Sequence, residues 1–151
     1  MQGNYSSKKF SNGKFIDLHF HGNETLIKEA QRLGYTGIVV TRHLEEYDSE
    51  FRRMFDDLDS SHDIVLRKGV EITCKNSEDL RKKIQRSRKS TDILIVQGGD
   101  LKINRAACDD RLIDILSQPY RSRRDTGINH VLAKRASEND VAIELNLNYL
   151  L

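Results

Sequence analysis

The stretch that decides the fold is Phe15-Ile16-Asp17-Leu18-His19-Phe20-His21-Gly22, an apolar run closed by two histidines and a glycine. On a strand, residues i and i+2 share a face, so both imidazoles point the same way at its carboxyl end. In parallel sheets that end is where ligands and metals gather. Further apolar runs follow at Ile38 to Val40, Ile64 to Leu66 continuing through Val70 to Ile72, Ile93 to Val96, Ile113 to Leu116, and Val141 to Leu145. Most are short and continuous rather than alternating, the pattern of strands covered on both faces.

Helix-period stretches separate these runs. Leu26, Ala30 and Leu33 fall on one helical face, with Asn23 or Thr25 as N-cap and Gly34 at the C′ position. Ser77 is placed to cap a basic helix ending near Arg88, and Asn129 opens a last helix carrying Val131, Leu132 and Ala136. Asn104-Arg105 reads as a helix start, and Gly98-Gly99 as a structural turn. Six strands with intervening helices specify a βα-repeating α/β domain, either an open doubly wound sheet or a barrel. No Gly-rich phosphate fingerprint follows the first strand, which weakens the dinucleotide-binding form. A closed eight-stranded barrel needs more sequence than remains here. The expectation is one domain over residues 1–151, an incomplete barrel truncated after its sixth strand.

The 151 residues suffice for one core, and their 37% hydrophobic and 32% charged content is that of a polar globular chain. No apolar run approaches the ~18 residues of a membrane span, and no apolar signal core follows Lys8-Lys9. Cys74 and Cys108 have no metal spacing and read as reduced thiols, so a cytoplasmic location with no membrane partner is expected. The net charge of +2 hides a segregation. Glu45, Glu46, Asp48, Glu50, Asp56, Asp57 and Asp59 form an acidic stretch, whereas Arg81, Lys82, Lys83, Arg86, Arg88 and Lys89 run without an acid. Arg121, Arg123 and Arg124 make a second basic knot. Basic faces of this kind suit a phosphate backbone, and a solvated helix face is the plain alternative. The acidic stretch is expected to face away from such a backbone and to suit a basic protein partner.

His19 and His21 after strand one, His43 after strand two and Glu71 at the end of strand three could converge on zinc or manganese. This pattern resembles the PHP superfamily (polymerase and histidinol phosphatase), metal-dependent phosphoesterases on a distorted barrel. Thr41-Arg42-His43 stands where that family has Thr-Asp-His, and Gln118-Pro119 where His-Pro is usual. The resemblance places the Arg42 cation where a metal needs a carboxylate, and Ile95-Val96-Gln97-Gly98 supplies no histidine. The late Asp-x-His motif is also missing. His19, His21, His43 and Glu71 are therefore weak metal candidates, with no metal expected, and a PHP-type phosphoesterase is the alternative reading.

A narrower resemblance covers Phe15 to the end. Its pieces are Ile95-Val96-Gln97-Gly98-Gly99-Asp100, Asn104-Arg105-Ala106-Ala107-Cys108-Asp109 and Asp114-Ile115-Leu116-Ser117. They continue with Arg124-Asp125-Thr126-Gly127-Ile128-Asn129-His130-Val131-Leu132-Ala133-Lys134 and Ala142-Ile143-Glu144-Leu145-Asn146. This succession is similar to the component 3 family of archaeal ribonuclease P (RNase P) proteins, whose eukaryotic relatives are subunits of nuclear RNase P and RNase MRP. The resemblance implies a TIM-barrel-like, PHP-type βα barrel in a ribonucleoprotein that removes the 5′ leader from precursor tRNA.

In that family the RNA performs the chemistry with its own Mg2+, and the protein brings no cofactor. The partners implied are the RNase P RNA, protein component 2, other RNase P protein subunits and precursor tRNA. Arg105, Arg123, Arg124 and Lys134 are the expected RNA contacts, with Arg81, Lys82 and Arg86 as a broader electrostatic surface. Arg124-Asp125 could instead be a structural pair, and His130 is expected in a core or capping role. Five tyrosines, five phenylalanines and no tryptophan point to recognition by shape and backbone rather than by base stacking.

Overall fold

Six strands form one parallel sheet: β1 (Ile16–Phe20), β2 (Gly37–His43), β3 (Val65–Ile72), β4 (Ile93–Gln97), β5 (Ile115–Ser117) and β6 (Ala142–Ile143). They lie in sequence order, β1 to β6, with every neighbouring pair parallel. The coordinates are a computed structural model in which residues 15–61, 63–121 and 127–146 are described. Five helices connect the strands: α1 (Glu24–Arg32), α2 (Ser49–Ser61), α3 (Ser77–Ser87), α4 (Leu101–Cys108) and α5 (His130–Glu138). A 3-10 turn, Leu44–Glu46, precedes α2. Right-handed crossovers that always step to the next strand put every helix on one face. A doubly wound sheet reverses its strand order and covers both faces. The order here instead makes the wall of an open βα barrel and settles the choice left by the sequence.

Alternation along the strands divides the core accordingly. Ile38, Val40 and Leu66 meet Ile27, Phe51, Phe55 and Leu58 of α1 and α2 in one outer cluster. Val70, Ile72, Leu94, Val96 and Leu116 meet residues of α3, α4 and α5 in another. Tyr47 packs against both clusters. The alternate positions, including Val39, Thr41, Glu71, Ile95, Ile115 and Ser117, are buried on the inner face. Pairing of His43 with Glu71 puts two polar residues in register at the carboxyl end.

All five helices are capped by an Asn or Asp side chain. Asn23, Asn76, Asp100 and Asn129 each accept from an amide of the first turn, and Asp48 accepts from Glu50 and Phe51. Asn76, not Ser77, therefore starts the basic helix, and Ser77 is its first residue. Asp100 starts α4, which places Asn104 inside the helix rather than at its beginning. Gly34 has φ +90 at the end of α1, the left-handed conformation expected of C′. No helix among the described residues is long and apolar enough to cross a membrane.

Candidate functional site

Side chains at the carboxyl ends of β1, β2 and β5 converge on Glu71 of β3, and the end of β6 joins them through His19. The Glu71 side chain is 2% exposed and receives Ser117 Oγ at 3.0 Å. His43 Nδ1 lies 3.1 Å from Glu71 Oε2, and the Nε2 atoms of His19 and His21 lie 3.4 Å from its two oxygens. His19 Nδ1 reaches across to Glu144 Oε2 at 3.0 Å. The two facing Nε2 atoms of His19 and His21 are 3.0 Å apart, a distance that requires one of them to carry a proton and the other a lone pair.

Burial alone would lower the basicity of His19, but hydrogen bonds to Glu144 and Glu71 outweigh it and raise the pKa to about 9. Burial would conversely raise the Glu71 carboxyl. The hydrogen bond from His19, the His19 charge and the hydrogen bond from Ser117 hold it far below the usual carboxylate range. At neutral pH the cluster thus contains an imidazolium held between two carboxylates.

The same donors suit one small divalent cation. Ligand atoms of His19, His21 and Glu71 all lie within 4.8 Å of one another. Tetrahedral zinc with bonds near 2.0–2.1 Å spaces its ligands by about 3.3 Å. Binding there would require His19 to give up its proton. Arg42 does not intervene, contrary to the sequence expectation. Its guanidinium donates to Thr41 O and Gly22 O and sits 5.3 Å from the Phe51 ring centroid. Residues 42 and 43 alternate across the strand, so Arg42 points to the helix side while His43 points to Glu71.

A different surface gathers the cations. In α4, Ile103, Asn104, Ala107 and Cys108 are buried, which leaves Lys102 and Arg105 on the outer face. Leu80 and Ile84 likewise anchor α3 and leave Arg81 outside. Arg81, Lys102 and Arg105 line an open groove of about 420 Å³ between α3 and α4. None of the three has an ion pair among the described residues. The groove's Asp109 is engaged by Arg135 at 2.7 Å, and Asp110 accepts the Leu112 amide.

The other expected contacts are dispersed. Lys82 pairs with Glu78 at 2.8 Å, and Lys134 with Glu138 at 3.8 Å, both pairs on the surface. Arg86 lines another cleft with Tyr47, Asp48, Arg52 and Lys83. Lys83 also lies 3.9 Å from Glu45, so the acidic stretch begins beside the basic helix instead of on a separate face. Arg88 is structural, donating to Leu112 O and Asp92 O and pairing with Asp114. Arg121 donates to Gln97 at 2.8 Å. Arg123, Arg124 and Asp125 lie outside the described residues. His130 is exposed at the first position of α5, and the cap is Asn129.

Sequence reasoning passed over Lys102, Arg135, Ser117, Glu144 and Asn104. Glu144 was recoverable by applying to the sixth strand the rule that selected Glu71 on the third. Asn104 carries no such signal, because its side chain bridges segments distant in sequence. It accepts from Gly99 N and donates to Pro119 O and Gly127 O, each at 3.0 Å.

A family profile described as RNase P subunit p30 matches residues 14–151. Ribonuclease P protein component 3 of Methanothermobacter thermautotrophicus is 44% identical over 144 residues, covering 89% of this chain and 58% of that protein. Its namesake in Methanococcus maripaludis is 40% identical over 136 residues, covering 90% and 59%. A chain in the cryo-EM structure of archaeal Ribonuclease P with mature tRNA superposes with a TM-score of 0.76 at 37% identity, covering 87% of this chain and 57% of that one. The chain therefore spans less than two thirds of the length of these relatives.

Proposed function

The chain belongs to the RNase P subunit p30 family, and on that premise we propose that it acts as an RNA-binding protein subunit of RNase P in maturation of the 5′ end of tRNA. The observation that carries the reading is the α3–α4 groove, where Arg81, Lys102 and Arg105 converge without ion-pair partners among the described residues. Cations so placed replace the counterions of folded RNA and lower the magnesium it needs. The RNA subunit performs the cleavage with its own Mg2+. The protein supplies no metal and acts in the cytoplasm with component 2 and other protein subunits on precursor tRNA.

In this reading the strand-end cluster is a clasp, with the His19 imidazolium tying β1 to β3 and β6 through Glu71 and Glu144. Convergence of His19, His21 and Glu71 is the observation that favours the second reading, a metal-dependent phosphoesterase. Cleavage of precursor tRNA at low magnesium separates the two, using catalytic RNA and component 2 with and without the full-length protein. Stimulation that survives His21→Ala but is lost with Arg105→Glu is expected. No stimulation by folded protein, together with a metal-dependent phosphatase activity abolished by His21→Ala, would overturn the proposal.

A further inference from the structure

The cations of α4 face more than the basic groove. Lys102 and Arg105 also line a second recess of about 310 Å³ between α4 and α5, so the same two cations border both cavities. The chemistry changes across them. Leu101 and Val131, 45% and 46% exposed, form apolar walls with Leu132 behind. A phosphate backbone makes no use of such walls, and two large aliphatic side chains standing in water beside unpaired cations call for a ligand that is both anionic and apolar.

Two polar groups complete the recess. One nitrogen of the Arg135 guanidinium is held by both oxygens of Asp109, at 2.8 and 2.7 Å. A guanidinium fixed in this way is a flat, weakly hydrated platform on which a nucleobase can stack. The Asn129 oxygen accepts the Leu132 amide at the cap of α5, which leaves its NH2 as a donor with no partner among the described residues. That donor can meet the edge of a base.

Resting on the proposed role in RNA binding, we infer that the α4–α5 recess seats one unpaired nucleobase of the RNA, while Arg81, Lys102 and Arg105 hold the flanking phosphates. The face thus recognises a bulged or looped nucleotide rather than uniform A-form helix, whose bases are closed to side chains. An acidic amphipathic peptide is the competing occupant, since it too combines negative charge with apolar groups. The run of cations spaced along two helices at the border of the recess favours a polyanion. The donor and platform geometry favours a base.

Two RNA hairpins test this, one fully paired and one carrying a single unpaired purine, each titrated into the protein at fixed salt. The wild type is expected to bind the bulged hairpin about tenfold more tightly, the size of one stacked base. Leu101→Ala/Arg135→Lys, which keeps the charge, is expected to erase that difference and leave binding of the paired hairpin unchanged. Thermal melting checks that the variant is folded. Equal, salt-sensitive affinity of the wild type for both hairpins would overturn the base seat and leave RNA binding standing. Absence of salt-sensitive binding to either hairpin would overturn both readings. Tight binding of a leucine- and glutamate-rich peptide that the variant loses, with no hairpin preference, would assign the recess to a protein partner and also overturn the seat.

Discussion

Glu71 collects a hydroxyl and three imidazoles on one buried carboxylate, and this gives the molecule a pH signature. Unfolded, His19 releases its proton near 6.5; folded, it holds it to about 9. Its contribution is therefore complete below pH 6.5 and is lost as the pH rises through 9, amounting to at most about 3 kcal/mol. Glu71 works in the opposite direction. Its carboxyl is depressed in the fold, so its contribution is complete above pH 4.5 and fades as the pH falls further. Melting temperatures of the wild type should fall between pH 6.5 and 9, and the difference from His19→Gln should shrink over that interval. A difference that stays constant from pH 6 to 9.5 would mean that the imidazolium is not held between the two carboxylates. His19, His21, His43 and Glu71 were legible as a group because strand ends in a parallel sheet share one mouth. The orientation of Arg42 was not used, although the same period-two rule turns it away from His43.

At the scale of elements, the loops at the carboxyl ends of the strands are tied by side chains buried between them. Asn104, 0% exposed, joins the β4–α4 turn to the loop after β5 and to Gly127 before α5. Gly99 meets it with φ +110, a backbone conformation that glycine supplies without strain. Asn104→Ala should strand one amide and two carbonyls in the interior and cost about 3 kcal/mol, read as a lower urea midpoint with unchanged slope. A loss under about 0.5 kcal/mol would show that these loops are fixed by other contacts. The strands were legible to within a few residues, because buried parallel strands are continuous apolar runs. Helix starts were less so: Asn76 caps one residue before Ser77, and Asp100 four residues before Asn104, where the sequence reading began those helices. α2 was hidden, since its apolar positions Phe51, Phe55 and Leu58 are interleaved with the acidic stretch that dominated its reading.

For the whole molecule, sequential parallel order has one consequence that orders all the rest. It sends every helix outward and the histidine–glutamate clasp to the carboxyl-end mouth, so the clasp and the cationic groove lie on different surfaces. A βα-repeating domain could be read from the recurrence of short apolar runs, which left the choice between an open sheet and a barrel to the family resemblance and the strand order. The groove could not, because Arg81 and Arg105 become neighbours through the packing of α3 against α4, and neither residue differs in type from surface cations elsewhere. The central claim, that this outer face binds RNA by displacing counterions, is tested most directly by the salt dependence of affinity for the RNase P RNA. The wild-type slope of log affinity against log salt should be steep, and Arg81→Glu/Lys102→Glu/Arg105→Glu should flatten it by about two to three units. An unchanged slope in a folded triple variant would contradict the claim and place the RNA contact elsewhere on the barrel.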